Sequence, residues 1–94
     1  MRQPWKRGRP AAAARPHAVL YTQPGCHLCE DTEAHLARLA GRYPHTLEVV
    51  DINAEPELRR RYWDRIPVLV IGGREYEAPL SPTLLERVLR EHSR

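Results

Sequence analysis

The chain contains no apolar run long enough to cross a bilayer. Its longest, Val68-Leu69-Val70-Ile71, has the length of a buried strand. No segment repeats, and no signal peptide is visible: the alanines at 11–14 are too few for an apolar signal core, and the tail lacks the serine of a transit peptide. Cysteine is scarce. The two present, Cys26 and Cys29, would close too small a loop to stabilise much, and one bridge is sparse for a secreted chain of this size. A reducing cytoplasm is therefore the expected compartment, where close-spaced cysteines are more often catalytic or metal-binding than structural. Acidic residues are absent from the first 17 positions, which hold five of the fifteen basic side chains. The other ten face all twelve acidic residues, so positions 18–94 carry a charge of −2. A nucleic-acid-binding domain should carry positive charge on its folded surface, so neither nucleic acid nor membrane is an expected partner.

What remains is enough for one small domain of 94 residues. Positions 1–17 read as a disordered basic tail, broken by Pro4, Gly8, Pro10 and Pro16, with Trp5 as its one large apolar residue. Positions 18–94 read as the domain. Ala18–Thr22 is apolar and β-branched and stops at Gln23-Pro24-Gly25, the pattern of a buried strand and a turn. A helix is predicted from Cys26 to Ala40, with Leu28, Thr32, Leu36 and Leu39 on one face and Gly41 ending it. Thr46–Ile52 reads as a strand buried on both faces through Leu47, Val49, Val50 and Ile52. Asn53 is placed to cap a helix over 54–63, along which Glu55–Arg59 and Glu57–Arg61 have the spacing of stabilising ion pairs. The strand Val68–Ile71, a tight Gly72-Gly73 turn and the edge strand Arg74–Glu77 follow. Ser81 and Pro82 open the last helix, where Leu80 and Leu85 can form a hydrophobic staple and Leu84, Leu85, Val88 and Leu89 a buried stripe. The order is βαβαββα.

Cys26-His27-Leu28-Cys29 falls where a strand meets a helix. Amide N–H groups in a first helical turn have no partners, and the helix dipole places about half a positive charge there. A thiolate is favoured at such a site, so Cys26 at the very start is the expected nucleophile. Cys29, one turn deeper, is the expected resolving thiol. A protonated His27 would favour the thiolate further, whereas Glu30 and Asp31 oppose it. Zinc is the main rival reading, but it needs four ligands, and His17, His35, His45 and His92 are scattered without pair spacing. No metal is expected.

The residues Leu20-Tyr21-Thr22-Gln23-Pro24-Gly25-Cys26-His27-Leu28-Cys29-Glu30, with Arg65-Ile66-Pro67-Val68-Leu69-Val70 and Gly72-Gly73, resemble the glutaredoxin-like branch of the thioredoxin superfamily over about positions 18–91. The resemblance is to small bacterial glutaredoxin-like proteins with a C-x-L-C centre. It implies an α/β thioredoxin-like domain with a four-stranded mixed sheet flanked by three helices. It also implies a cis Pro67 beside the cysteines, and an Ile66 backbone that pairs with a bound substrate as an added strand. Cys26 and Cys29 are then the catalytic pair, and Gln23, Gly25, His27, Ile66 and Pro67 the substrate-binding residues. Leu20 stands where thioredoxins have a buried acidic residue, and Gly25 where they have tryptophan. Gln23 replaces the lysine of glutathione-using relatives, and Ser81-Pro82 their acidic pair. The implied chemistry is reduction of protein or small-molecule disulfides by a monomer with no bound cofactor. Electrons would come from a reductase, from glutathione or from another low-molecular-weight thiol. The alternative is a non-enzymatic module, a redox sensor or adaptor or an iron–sulfur carrier. Cluster-holding relatives, however, usually have one active-site cysteine.

Overall fold

Side chains alternate across an extended strand, so a strand that is apolar at consecutive positions must be covered on both sides. Two segments of this chain have that pattern, and the sheet is built around them. The computed structural model describes residues 15–93; positions 1–14 of the proposed tail, with Trp5, lie outside them, while its last residue, His17, belongs to the first strand, where it pairs with Thr46. The elements are β1 (His17–Thr22), α1 (His27–Leu39), β2 (Thr46–Asp51), a 3-10 turn (Ile52–Ala54), α2 (Pro56–Tyr62), β3 (Val68–Ile71), β4 (Arg74–Glu77) and α3 (Pro82–His92). The sheet order is β2-β1-β3-β4, with β1 parallel to β2 and antiparallel to β3, and β3 antiparallel to β4. This is the mixed four-stranded sheet with three helices that the resemblance implied.

On one face Ala18, Leu20, Leu69 and Ile71 meet Leu36 of α1 and Leu85, Val88 and Leu89 of α3. On the other, Val68 packs with Ile52 and Tyr62, flanked by Tyr21, Leu58, Ile66 and Val70. Each leucine-sized side chain removed from water contributes about 1.5–3 kcal/mol, which makes these two clusters the main support of the fold. Gly72 and Gly73 both have positive φ, 60° and 78°, as the two-residue turn joining Ile71 to Arg74 requires. Ser81 caps α3 by accepting a 3.1 Å hydrogen bond from the Leu84 amide, with Pro82 in the first turn. Leu80 and Leu85 are both buried in the core, as a staple demands.

Three expectations change. The helix after β2 is not capped by Asn53. Pro56 disfavours helical geometry at the residue before it, and Glu55 is extended (φ −143°, ψ 136°), so α2 starts at Pro56. Asp51 instead caps the 3-10 turn through the Asn53 amide, at 2.8 Å. Glu55 is thereby outside the helix, Glu57 pairs with Arg60 rather than Arg61, and Arg61 reaches Glu75 on β4. Secondly, β2 is an edge strand: Val49 is 46% exposed, Leu47 and Val50 are half-buried, and only Ile52 beyond the strand is fully covered. Lastly, the buried face of α1 is centred on Cys29, Thr32 and Leu36, and Leu28 at its margin is 59% exposed.

Candidate active site

Thr22 ends β1, and the next four residues turn the chain into α1. Pro24 and Gly25 (φ 81°) occupy the central positions of the turn, closed by a 3.3 Å hydrogen bond from the Cys26 amide to the Gln23 carbonyl. Proline second and a positive-φ glycine third are the requirements of a type II turn. Nothing lies within 4 Å of where a Gly25 side chain would begin, so the turn faces open space. Its effect is to leave Cys26 as the N-cap of α1.

The Cys26 sulfur accepts a 3.1 Å hydrogen bond from the Cys29 amide. That sulfur therefore occupies the place of the serine or aspartate oxygen that usually satisfies a first-turn N–H. The geometry favours negative charge on Cys26, because the bond and the helix dipole act on the same atom. Cys26 and Cys29 are joined as a disulfide with their Cα atoms 5.2 Å apart. Their exposures differ: Cys26 is half-buried, and Cys29 is buried to 1%. His27 lies on the solvent side, its Nδ1 3.5 Å from Glu30 and both side chains exposed.

Two depressions involve residues of this turn or of the start of α1. One, lined by Leu28, Asp31, Thr32, His35, Pro67 and Ala78–Ser81, is a crevice of about 160 Å³ between α1 and the loop before α3. Pro67, cis as the resemblance implied, is fully buried at its base. The other is a broader groove of about 810 Å³ on the α2 side, lined by Gln23, Asn53, Pro56, Arg59, Arg60 and Trp63. Trp63 is 63% exposed there. Gln23 and Pro67 thus line different depressions. The Ile66 backbone is half committed: its N–H donates to the Tyr62 carbonyl at 3.2 Å, and its carbonyl takes none of the turn, loop or cap bonds among the described residues.

Sequence reasoning missed the groove residues Asn53, Arg59, Arg60 and Trp63, and the group of charges behind Ile66. In that group Arg65 joins Glu75 (2.8 Å) to Glu77 (2.8 Å), and the Tyr62 hydroxyl donates to Glu75 at 2.7 Å. Arg65 holds the Glu75 carboxyl below its usual range, with Tyr62 adding to the effect. Tyr62 itself is pushed up to about 12, first by burial and then by its bond to Glu75. A tryptophan closing a helix of charged residues, and an arginine directly before Ile66-Pro67, were the available signals. Among the described residues no group of three or more His, Cys, Asp or Glu gathers to hold a metal.

The chain is similar to known proteins. The profile of the Glutaredoxin-like domain (DUF836) matches residues 17–92. The uncharacterized protein Rv0508 of Mycobacterium tuberculosis is 31% identical over 68 residues, covering 67% of this chain and 70% of that protein. The solution structure of Ne2328 from Nitrosomonas europaea is 32% identical with a TM-score of 0.68, covering 79% of this chain and 91% of that one. Oxidized mitochondrial thioredoxin 3 of Saccharomyces cerevisiae, at 19% identity and a TM-score of 0.61 over 85% and 81% of the two chains, shares the fold alone. A cysteine pair at disulfide distance, set at the first turn of a helix in this fold, is a redox-type centre, and the chain belongs to the glutaredoxin-like domain family of the thioredoxin superfamily.

Proposed function

We propose that this protein is a dithiol–disulfide oxidoreductase that reduces protein or small-molecule disulfides in a reducing cytoplasm. The observation that carries the reading is the inequality of the two sulfurs: Cys26 is accessible and capped by an amide, while Cys29 is buried one turn below. In the reduced protein the Cys26 thiolate attacks one sulfur of a substrate disulfide. A Cys26–substrate disulfide forms, and the other substrate sulfur leaves as a thiolate that takes up a proton. Cys29, as its thiolate, then attacks the Cys26 sulfur and releases the second substrate thiol. The substrate gains two electrons and two protons, and the protein is left in the oxidised form described above. A dithiol reductase or two equivalents of a low-molecular-weight thiol restores it.

The Ile66 carbonyl, which takes none of the turn, loop or cap bonds among the described residues, supports main-chain pairing with a substrate through its acceptor side only. Arg59 has no ion-pair partner among the described residues and lines the groove beside Gln23, which favours disulfides bearing a carboxylate, glutathione disulfide among them. The test uses purified protein, an oxidised peptide and dithiothreitol as donor. The intact chain should accelerate peptide reduction and Cys26→Ser should fall to the uncatalysed rate. Cys29→Ser should accumulate a mixed disulfide on Cys26, visible by mass spectrometry. Full activity in Cys26→Ser would sink the proposal.

A further inference from the structure

Residue 65 is held from three directions. Its amide donates to the Tyr62 carbonyl at 2.8 Å, at the end of α2, and its carbonyl accepts from the Ala78 amide at 3.3 Å, beyond β4. Its guanidinium spans two carboxylates of β4, Nη2 to Glu75 and Nε to Glu77, each at 2.8 Å. The same group sits 5.3 Å from the centre of the Tyr62 ring, whose hydroxyl donates to Glu75. Arg65 is thus the knot between α2 and β4, and the next two residues in the chain are Ile66 and Pro67. Pro67 faces Leu28 and Thr32 of the cysteine-bearing helix across the crevice. Isolated surface ion pairs contribute little, but a planar fork satisfied by two carboxylates and an aromatic face is geometrically specific.

We propose that Arg65 is a positioning residue for substrate: by tying α2 to β4 it holds the Ile66-Pro67 segment where the Ile66 carbonyl can meet a substrate amide beside Cys26. The inference rests on the reductase reading for its kinetic consequence, but not for its structural one. It assigns Arg65 no part in electron or proton transfer, so the thiol chemistry at Cys26 should survive its loss while substrate docking weakens. A lysine has charge but no fork, and so should not replace it.

The test compares the intact chain with Arg65→Met, Arg65→Lys and Glu77→Gln, the last removing one arm at an exposed carboxylate. Amide hydrogen exchange at Ile66, set against the Leu85 amide in the first turn of α3 as an internal control, reads the tie directly. Kinetics of peptide disulfide reduction with dithiothreitol read its consequence. Arg65→Met should speed Ile66 exchange about tenfold relative to Leu85 and raise KM about tenfold with kcat nearly unchanged. Arg65→Lys should resemble Arg65→Met, and Glu77→Gln should lie between. Unchanged Ile66 exchange and KM in folded Arg65→Met would overturn the inference. So would a loss shared by Leu85 exchange, melting temperature and kcat, which marks a merely structural role. If the intact chain reduces no peptide, the reductase reading fails and the kinetic half of this inference with it, while Ile66 exchange still decides whether Arg65 is the tie.

Discussion

Tyr62 shows what one buried polar side chain can report. Its ring stacks on Tyr21 with centroids 4.4 Å apart and planes 18° off parallel, which places an aromatic pair under the sheet. Its hydroxyl reaches Glu75, so the side chain is apolar where it packs and satisfied where it ends. Burial and the neighbouring carboxylate both favour the neutral phenol, and the group is pushed up to about 12. An unfolded tyrosine titrates near about 10. The folded state therefore holds its proton more tightly, and the stability so gained is complete below about pH 10 and lost as pH rises toward about 12. Tyrosinate absorbance should show one of the four tyrosines ionising near the upper limit, with melting temperature falling over the same window. Tyr62→Phe should abolish that late step and cost about 1.5 kcal/mol, the low end for a bond to a charged group, because Glu75 retains Arg65. Glu75 has the opposite sign. Its depressed carboxyl contributes stability above the ordinary value of about 4.3, and that contribution goes only as pH falls through the lower folded value.

At the scale of elements, the amino-acid pattern and the structure agree wherever local chemistry decides. Pro24 and Gly25 allow little but the turn they make, Ser81-Pro82 little but a helix start, and Gly72-Gly73 little but a two-residue hairpin. The cysteine pair was legible for the same reason, since the turn that precedes it determines which cysteine caps the helix. The disagreements arise where the answer lies in another part of the chain. Val49 is as apolar as Val68, but only sheet order determines that one is at the rim and the other in the middle. Leu28 has the spacing of a core residue, yet the loop at 78–81 leaves its crevice open. Arg65 gives no local sign of its partners, because Glu75 and Glu77 come to it from β4. The contrast can be measured. Leu85→Ala, in the fully buried stripe of α3, should cost about 2–5 kcal/mol in denaturant unfolding. Val49→Ala on the edge strand should cost about 0.5 kcal/mol or less. Equal costs would contradict the placement of β2 at the rim.

Across the whole molecule, charge is divided in a way that makes its source testable. Positions 18–94 carry −2 and positions 1–17 carry +5, summing to the net +3. The domain as a body should therefore repel an anionic substrate, and any attraction must come either from the groove beside Gln23 or from the basic segment. Arg60 is engaged with Glu57, and Arg61 with Glu75, which leaves Arg59 as the groove's unpaired cation among the described residues. Its reach is short, because at physiological ionic strength charges are screened beyond about 8 Å. Reduction of a carboxylate-bearing disulfide should thus slow as salt rises, and reduction of a neutral disulfide of similar size should not. Arg59→Glu should lower kcat/KM for the charged substrate by about tenfold, flatten its salt dependence and leave the neutral substrate unaffected. If the salt dependence persists in Arg59→Glu but disappears when positions 1–16 are deleted, the basic segment draws the anion and the groove does not. A groove that discriminates by charge would place selectivity on α2, one helix away from the sulfurs. The disulfide centre itself could then remain indifferent to what its substrates carry.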